Sequence, residues 1–434
     1  MQSDEVKNYA YYEALGFGNY ASWSEKDLVQ FLCLDYFNGM KMMGMVGIEE
    51  MFLKDQQFLI NQYSKHRLLF RFLDAFFLTL YFISKNRDKK TILFRTSQYA
   101  SIIKEAKKYY HVALTAYGGK DRLFAFFNFI GYVGINDLTQ YILDYLGDRN
   151  IEHLWRLVEA TEKKLKMAQP DYIVLRSDGP PIERAIVLAS KKLGITTLAT
   201  QHGVEDASCL FENEVSDFIL VWGKYFKNLF LSSNKRKAEN IYILGLPYPM
   251  HSGKAAGERN RRNVCYLGQD FERYDKSLLP VKVETIKNLN EVCKKLGLHF
   301  VYRPHPGDDR DLLKENLSGI AFTDENEKLE ETFGASDIFV GFSSTALVEA
   351  AMRQKIALQL MSFPIGLDDF ENLGVCNKSF KTIKELGSYL MEIAKAPDLK
   401  EFKIKFNNDY METRYNPGER FLEIMKEIEK NRKS

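Results

Sequence analysis

Residues Pro170 to Gly203 read PDYIVLRSDGPPIERAIVLASKKLGITTLATQHG. The run YIVL reads as a strand that ends in Arg176, Ser177 and Asp178. PPIERAIVLASKKLG reads as a helix, and ITTLAT as a second strand that ends in Gln201 and His202. Both strands are continuous apolar runs rather than alternating ones, so each should be covered on both faces and the sheet should be parallel. This one strand-helix-strand unit predicts a doubly wound layer structure.

The same rhythm extends in both directions. Upstream, KTILFRT, QYASIIKEAKKYY and HVALTAYGG read as strand, helix and strand. The Phe-rich LFAFFNFIGYVGI and a long helix from about Ile151 to Met167 follow; downstream come SDFILVWG and NIYILGLP. Between Pro247 and Asn263 periodic apolar positions vanish from YPMHSGKAAGERNRR, which reads as a linker. Strand and helix patterns then resume with NVCYLGQ, LHFVYRPHP, DIFVGFS, STALVEAAMRQ and IALQL. The expected architecture is α/β, with two Rossmann-like doubly wound domains facing a cleft. Residues 1–250 form the first, with a helical N-terminal portion; 251–262 form the linker, 263–400 the second domain and 401–434 C-terminal helices.

Composition narrows the function classes. Of 434 residues, 45% are hydrophobic and 27% charged, as in ordinary globular proteins. A net charge of +2 gives no field of the kind that binds nucleic acid. The five cysteines form no C-x-x-C pair, so neither a zinc site nor a disulfide framework is expected, and a reducing cytoplasm fits best. The N-terminus carries no secretory signal pattern. LLFRFLDAFFLTLYFI, Leu68 to Ile83, contains Arg71 and Asp74 and is too short to span a bilayer, so it reads first as a core helix. Its basic flanks, SKHR and KNRDKK, keep a peripheral contact with the inner face of the cell membrane as the alternative.

The candidate chemistry lies at strand ends. In DIFVGFSSTALVEAA, Asp337 to Ala351, a strand and Gly341 lead into Ser343, Ser344 and Thr345 at a helix start, where orphan N–H groups and the positive dipole end favour an anion. One hydroxyl there would serve as an ordinary N-cap; three in a row suggest phosphate. Glu349 follows on the same helix, placed to accept from ribose hydroxyls. In YRPHPGDD, Tyr302 to Asp309, Arg303 and His305 leave the end of what reads as the neighbouring strand, with Pro304 and Pro306 stiffening the backbone around the imidazole. Asp178 and His202, each followed by glycine, are the alternative general bases. No dinucleotide or P-loop fingerprint, nucleophile elbow or metal-ligand spacing occurs, so no metal and no resident cofactor are expected.

These motifs together, QHG, RPHP and SSTALVEA, resemble GT-B glycosyltransferases of bacterial capsule and surface-polysaccharide assembly. They are similar to the CMP-sialic acid and CMP-Kdo transferases and to the CDP-glycerol polyol-phosphate transferases. The resemblance, over roughly residues 170 to 360, implies phosphate ligands at His305, Ser343 and Ser344, with Arg303 supporting them and Glu349 at the ribose. His202 matches the base of the polyol-phosphate enzymes. Asp178 in SDG approximates the acid-acid-Gly motif of the sialyltransferases, with Ser177 where the first acid would stand. It also implies a nucleotide-sugar donor, CMP-linked by preference, and an oligosaccharide or lipid-linked glycan acceptor. Arg95, Arg176 and Arg303 suit a carboxylate-bearing sugar. The alternatives are a CDP-polyol phosphotransferase, a UDP-sugar 2-epimerase and a non-catalytic nucleotide-sugar-binding subunit.

Overall fold

The computed structural model describes residues 9–35, 52, 57, 67–115, 119–135, 138–201, 203, 214–233, 236–247, 262–271, 275–363 and 368–432. The predicted linker, apart from Arg262, and His202 lie outside the described residues. The chain divides into two compact units. The first draws on residues up to Pro249 and on Met411–Ser434, the second on Met250–Tyr410.

Seven parallel strands form the sheet of the first unit: β1 (Thr91–Phe94), β2 (His111–Leu114), β3 (Gly131–Tyr132), β4 (Tyr172–Leu175), β5 (Thr196–Thr200), β6 (Phe218–Val221) and β7 (Ile241–Ile243). Their spatial order is β3-β2-β1-β4-β5-β6-β7, the doubly wound arrangement. The opening stretch folds as read: β4 and β5 pair in parallel from Tyr172 opposite Thr196. The crossover helix Pro181–Leu193 begins on Pro181, whose missing N–H costs nothing at a helix start, and ends at Gly194 in the left-handed region at φ 70°.

The N-terminal helical portion packs on that crossover helix. Tyr12, Phe17, Trp23 and Phe31 form an aromatic cluster, and the wholly buried Arg184 lies 5.0 Å over the Phe31 ring. Its charge is balanced by buried Asp35 at 3.6 Å, which also accepts from Gln30 Nε2 at 2.6 Å and from the Tyr12 hydroxyl. A buried cation is tolerable only with such a partner. The last helix, Pro417–Asn431, returns to the first unit and places Phe421, Ile424, Met425 and Ile428 in one core with Phe94, Ile102 and Tyr172. Glu429 fastens it, accepting from the hydroxyls of Tyr110 and Tyr172 and pairing with Lys90, each at 3.2 Å.

The second unit holds five parallel strands: β8 (Asn263–Leu267), β9 (His299–Arg303), β10 (Ile338–Gly341), β11 (Ile356–Leu360) and β12 (Lys378–Phe380), in the order β12-β11-β10-β8-β9. The chain leaves β8 toward β9 and leaves β10 toward β11. Adjacent strands whose connections part in this way open a crevice outside their carboxyl ends, where ligands of such sheets bind. Among the described residues, no helix is long and apolar enough to cross a membrane.

Candidate functional site

The two motifs of the second unit meet at that crevice, with one correction to the sequence reading. The strand bearing Arg303 and His305 is not the neighbour of the strand before Ser343, because β8 runs between them. The two residues that follow Gly268 at the end of β8 bind one motif each. Gln269 clamps the serine turn by donating Nε2–H to the Ser343 carbonyl at 2.6 Å and accepting the Ser343 N–H at 2.9 Å. Asp270, nearly buried, sets its Oδ1 3.2 Å from Nδ1 of His305. The imidazole and the serine turn are thereby joined through two consecutive residues.

The His305 turn is rigid for a reason beyond its prolines. Asp308 accepts the His305 N–H at 2.8 Å and the Tyr302 hydroxyl at 2.9 Å, and pairs at 2.6 Å with Lys282 from helix 278–295. Both side chains of that pair are buried, so the carboxylate is fixed in place. Gly307 donates its N–H to His305 Nδ1 at 3.1 Å, and a Cβ at this position would collide with the Asp270 carboxylate. Nδ1 serves one of two partners at a time, as an acceptor from Gly307 or as a donor to Asp270. The ring itself is 42% exposed, open to a ligand.

Ser344 caps the helix Thr345–Met352, its hydroxyl accepting from Leu347 N–H at 3.2 Å. The modest cap role is thus realised at one of the three hydroxyls, and the half-buried Ser343 and Thr345 flank it. Glu349 is only 6% exposed and lies 3.5 Å from Arg353. Burial pushes its carboxyl up to about 7; Arg353 pulls the other way, and Glu330 adds to the rise. Near neutral pH it therefore exchanges a proton readily and can donate as well as accept. The Arg303 guanidinium is engaged by the Thr332 hydroxyl at 2.5 Å and the Glu327 carbonyl at 3.1 Å, so it braces the 327–332 segment instead of joining the imidazole and serine group.

At the first unit's carboxyl edge the side chains turn inward. Asp178, expected as one of two alternative bases, is wholly buried and accepts the N–H groups of Val215, at 2.9 Å, and Ser216. Burial alone would raise its pKa. Hydrogen bonding from Glu214 and Ser216 and the charges of Arg184 and Arg236 outweigh it and hold the carboxyl below the usual range. A buried, weakly basic carboxylate anchored on backbone amides is a scaffold, and this corrects its reading as a base. Arg95 is likewise committed, at 3.0 Å from Glu183 and 2.9 Å from the Thr115 carbonyl. Gln201 is likewise engaged, accepting from Trp222 N–H and donating to the Gly203 carbonyl, both at 2.9 Å. Gln269, Asp270, Asp308 and Lys282 were not singled out in the sequence. The available signal was GQD directly after the strand NVCYL, another polar strand end.

No known family's sequence profile matches the chain, and no curated protein matches it. Among solved structures the chain is similar to UDP-GlcNAc 2-epimerase from Methanocaldococcus jannaschii, with a TM-score of 0.54 and 16% identity over 78% of this chain and 99% of that one. The same archaeal enzyme in complex with UDP-GlcNAc and UDP gives 0.53 and 15%, covering 78% and 99%. A glycosyltransferase from Rickettsia africae ESF-5 gives 0.51 and 15%, covering 79% and 97%. At such identities the likeness is one of fold: this chain has the paired Rossmann-like units of the GT-B type.

Proposed function

We propose that the protein is an inverting GT-B glycosyltransferase that uses a nucleotide-sugar donor. The observation that carries this reading is the convergence of His305 and the Ser343–Thr345 helix start on Gln269 and Asp270 at the strand-order reversal of the second sheet. In the proposed reaction the acceptor oxygen bonds to the anomeric carbon as the bond from that carbon to the donor phosphate breaks. The acceptor proton passes to His202, and the departing phosphate takes hydrogen bonds from the imidazole and the helix start, where donors gain most as charge develops. Asp178 braces the carboxyl edge of the first sheet, and Glu349 faces the ribose in this reading.

The donor we name first is a CMP-linked acidic sugar of the sialic acid or Kdo kind, on the likeness of the HP and Ser-Ser motifs, with a saccharide or lipid-linked glycan as acceptor. The arginines lend it less support than the sequence promised, because Arg95 and Arg303 are held by protein partners. A second reading, a UDP-sugar 2-epimerase, is favoured by the fold likeness to the archaeal enzyme seen with UDP-GlcNAc and UDP.

The test is a thermal-shift panel of CMP-, CDP-, UDP- and GDP-linked compounds, followed by turnover with and without acceptor. A ligand at a hundredfold excess over its Kd stabilises by about 2.7 kcal/mol. Stabilisation by the CMP compounds, lost in His305→Ala together with ~10²–10³-fold of transfer activity, is the expected result. Turnover of a UDP-sugar without acceptor would establish the epimerase reading. Normal transfer by His305→Ala would overturn both.

A further inference from the structure

The aromatic surface at the amino edge of the first sheet has no part in this chemistry. Three segments meet there: the end of helix Arg67–Ser84 before β1, the end of helix Ala100–Ala106 before β2, and the end of helix Gly119–Phe127 before β3. Ile83, Phe127 and Phe129 are 76%, 72% and 89% exposed, and Phe82, Leu123 and Phe126 are exposed beside them. Packing ties the two helix ends together: Phe126 packs on Phe127 at 5.5 Å and on the buried Phe77 of the first helix at 6.4 Å. Gly131, next but one to Phe129, approaches Tyr81 so closely that a Cβ would clash with its ring. Tyr81 in turn packs on Phe82 at 5.4 Å. Phe129 sits in the left-handed region at φ 51°, which phenylalanine seldom adopts, and there its ring stands in solvent.

A cationic rim adjoins these rings. Leaving out Arg95, which is buried at the opposite edge, residues 85–108 carry seven lysines and arginines against two acids, in a molecule of net charge only +2. Contacts tie the rim to the aromatic turn: Lys107 donates to the Asn128 carbonyl at 2.6 Å, and Lys89 donates to the Lys108 carbonyl at 3.1 Å. Neither carbonyl neutralises its lysine, whereas Lys90 and Lys108 are paired with Glu429 and Glu105. Exposed rings projecting from a turn and a helix end, next to unneutralised lysines, complement an anionic surface with an apolar interior. Contiguous exposed apolar side chains of this size mark a docking site.

We propose that this edge docks on an anionic lipid bilayer, with Phe127, Phe129 and Ile83 entering the headgroup region while Lys89, Lys107 and Arg87 meet lipid phosphates. With no described helix able to span, the contact is peripheral. The four-residue strand β1 sets the carboxyl edge of that sheet ~13 Å from the docked edge, toward the aqueous side. The inference does not depend on which donor the protein uses.

Cosedimentation of the full chain with phosphatidylglycerol–phosphatidylcholine vesicles, against phosphatidylcholine alone, tests it. The wild type should partition onto the anionic vesicles. Phe127→Ser with Phe129→Ser should weaken that binding at least ~10-fold, since each ring contributes apolar area to the bilayer. Lys89→Gln with Lys107→Gln should weaken it on anionic vesicles and change little on neutral ones. Both rings and Lys107 are exposed and Lys89 is half-buried, so melting temperatures should hold and exclude misfolding as the cause. Absent binding, or binding that the aromatic pair leaves unchanged, would overturn the proposal. So would a wild type that self-associates by light scattering while the aromatic variant is monomeric, since the surface would then join two copies of the chain.

Discussion

The carboxyl edges of the two sheets end in similar residues and use them in opposite ways. In the first, Arg95, Asp178 and Gln201 turn back into the protein and meet Glu183, the Val215 and Ser216 amides, and Trp222. In the second, His305 keeps 42% of its side chain exposed and the serine turn stays half-buried. A polar strand end is therefore a site only where its groups are held without being consumed. Two carboxylates show the same contrast. Asp178 and Glu349 are both buried, yet one is held below the ordinary carboxylate range and the other is pushed up to about 7. Asp178 has backbone amides, Glu214 and two arginines; Glu349 has one arginine at 3.5 Å and another acid nearby. Donors, more than depth, decide the outcome.

The largest effect expected of this contrast is on stability. Asp178→Ala strips the acceptor from two buried backbone amides and removes a negative charge that lies near Arg184 and Arg236, and should cost about 2–6 kcal/mol in urea unfolding. A loss below 1 kcal/mol would return Asp178 to the list of candidate bases. Glu349→Gln should act with the opposite sign and only at higher pH. Its folded pKa lies above the unfolded value, so the native state binds more protons between about pH 4.5 and 7, and stability falls as pH rises through that window. Variant and wild type should be alike near pH 4, with the variant more stable by up to ~3 kcal/mol at pH 8. A flat difference across that range would show that Arg353 keeps the acid charged.

Asp308→Asn sharpens the comparison from the other side, because Asp308 is the consumed group that keeps His305 unconsumed. Losing its charge-assisted bonds to Lys282 and the turn should cost about 1.5–3 kcal/mol. It should also shrink the thermal shift given by the best nucleotide ligand, whereas Asp178→Ala should leave that ligand-induced increment in place. The smallest effect belongs to Ser344→Ala, about 1 kcal/mol for a lost N-cap. Urea unfolding without ligand isolates that cap energy, and a larger deficit with ligand bound would show that the hydroxyl also touches the nucleotide.

Much of this was legible in the linear text because parallel strands buried on both faces must be written as unbroken apolar runs. YIVL, ITTLAT, LHFVYR and DIFVG folded as read, and the residue types at their ends named both edges. Sequence could not say that β8 passes between the His305 and Ser343 strands, since strand order is set by long-range crossovers that leave no local mark. Nor could it say that Arg303 would be taken by Thr332 and Glu327, or that the final helix would complete the core of the first unit.

The sequence by itself determined the α/β layering, the two sheets and the small set of polar strand ends where chemistry can occur. Burial periodicity and turn residues are local properties, and they suffice for that. Only the tertiary structure decided which of those ends stay open, because whether a carboxylate is anchor or acid, or an arginine brace or ligand, depends on donors brought from distant segments.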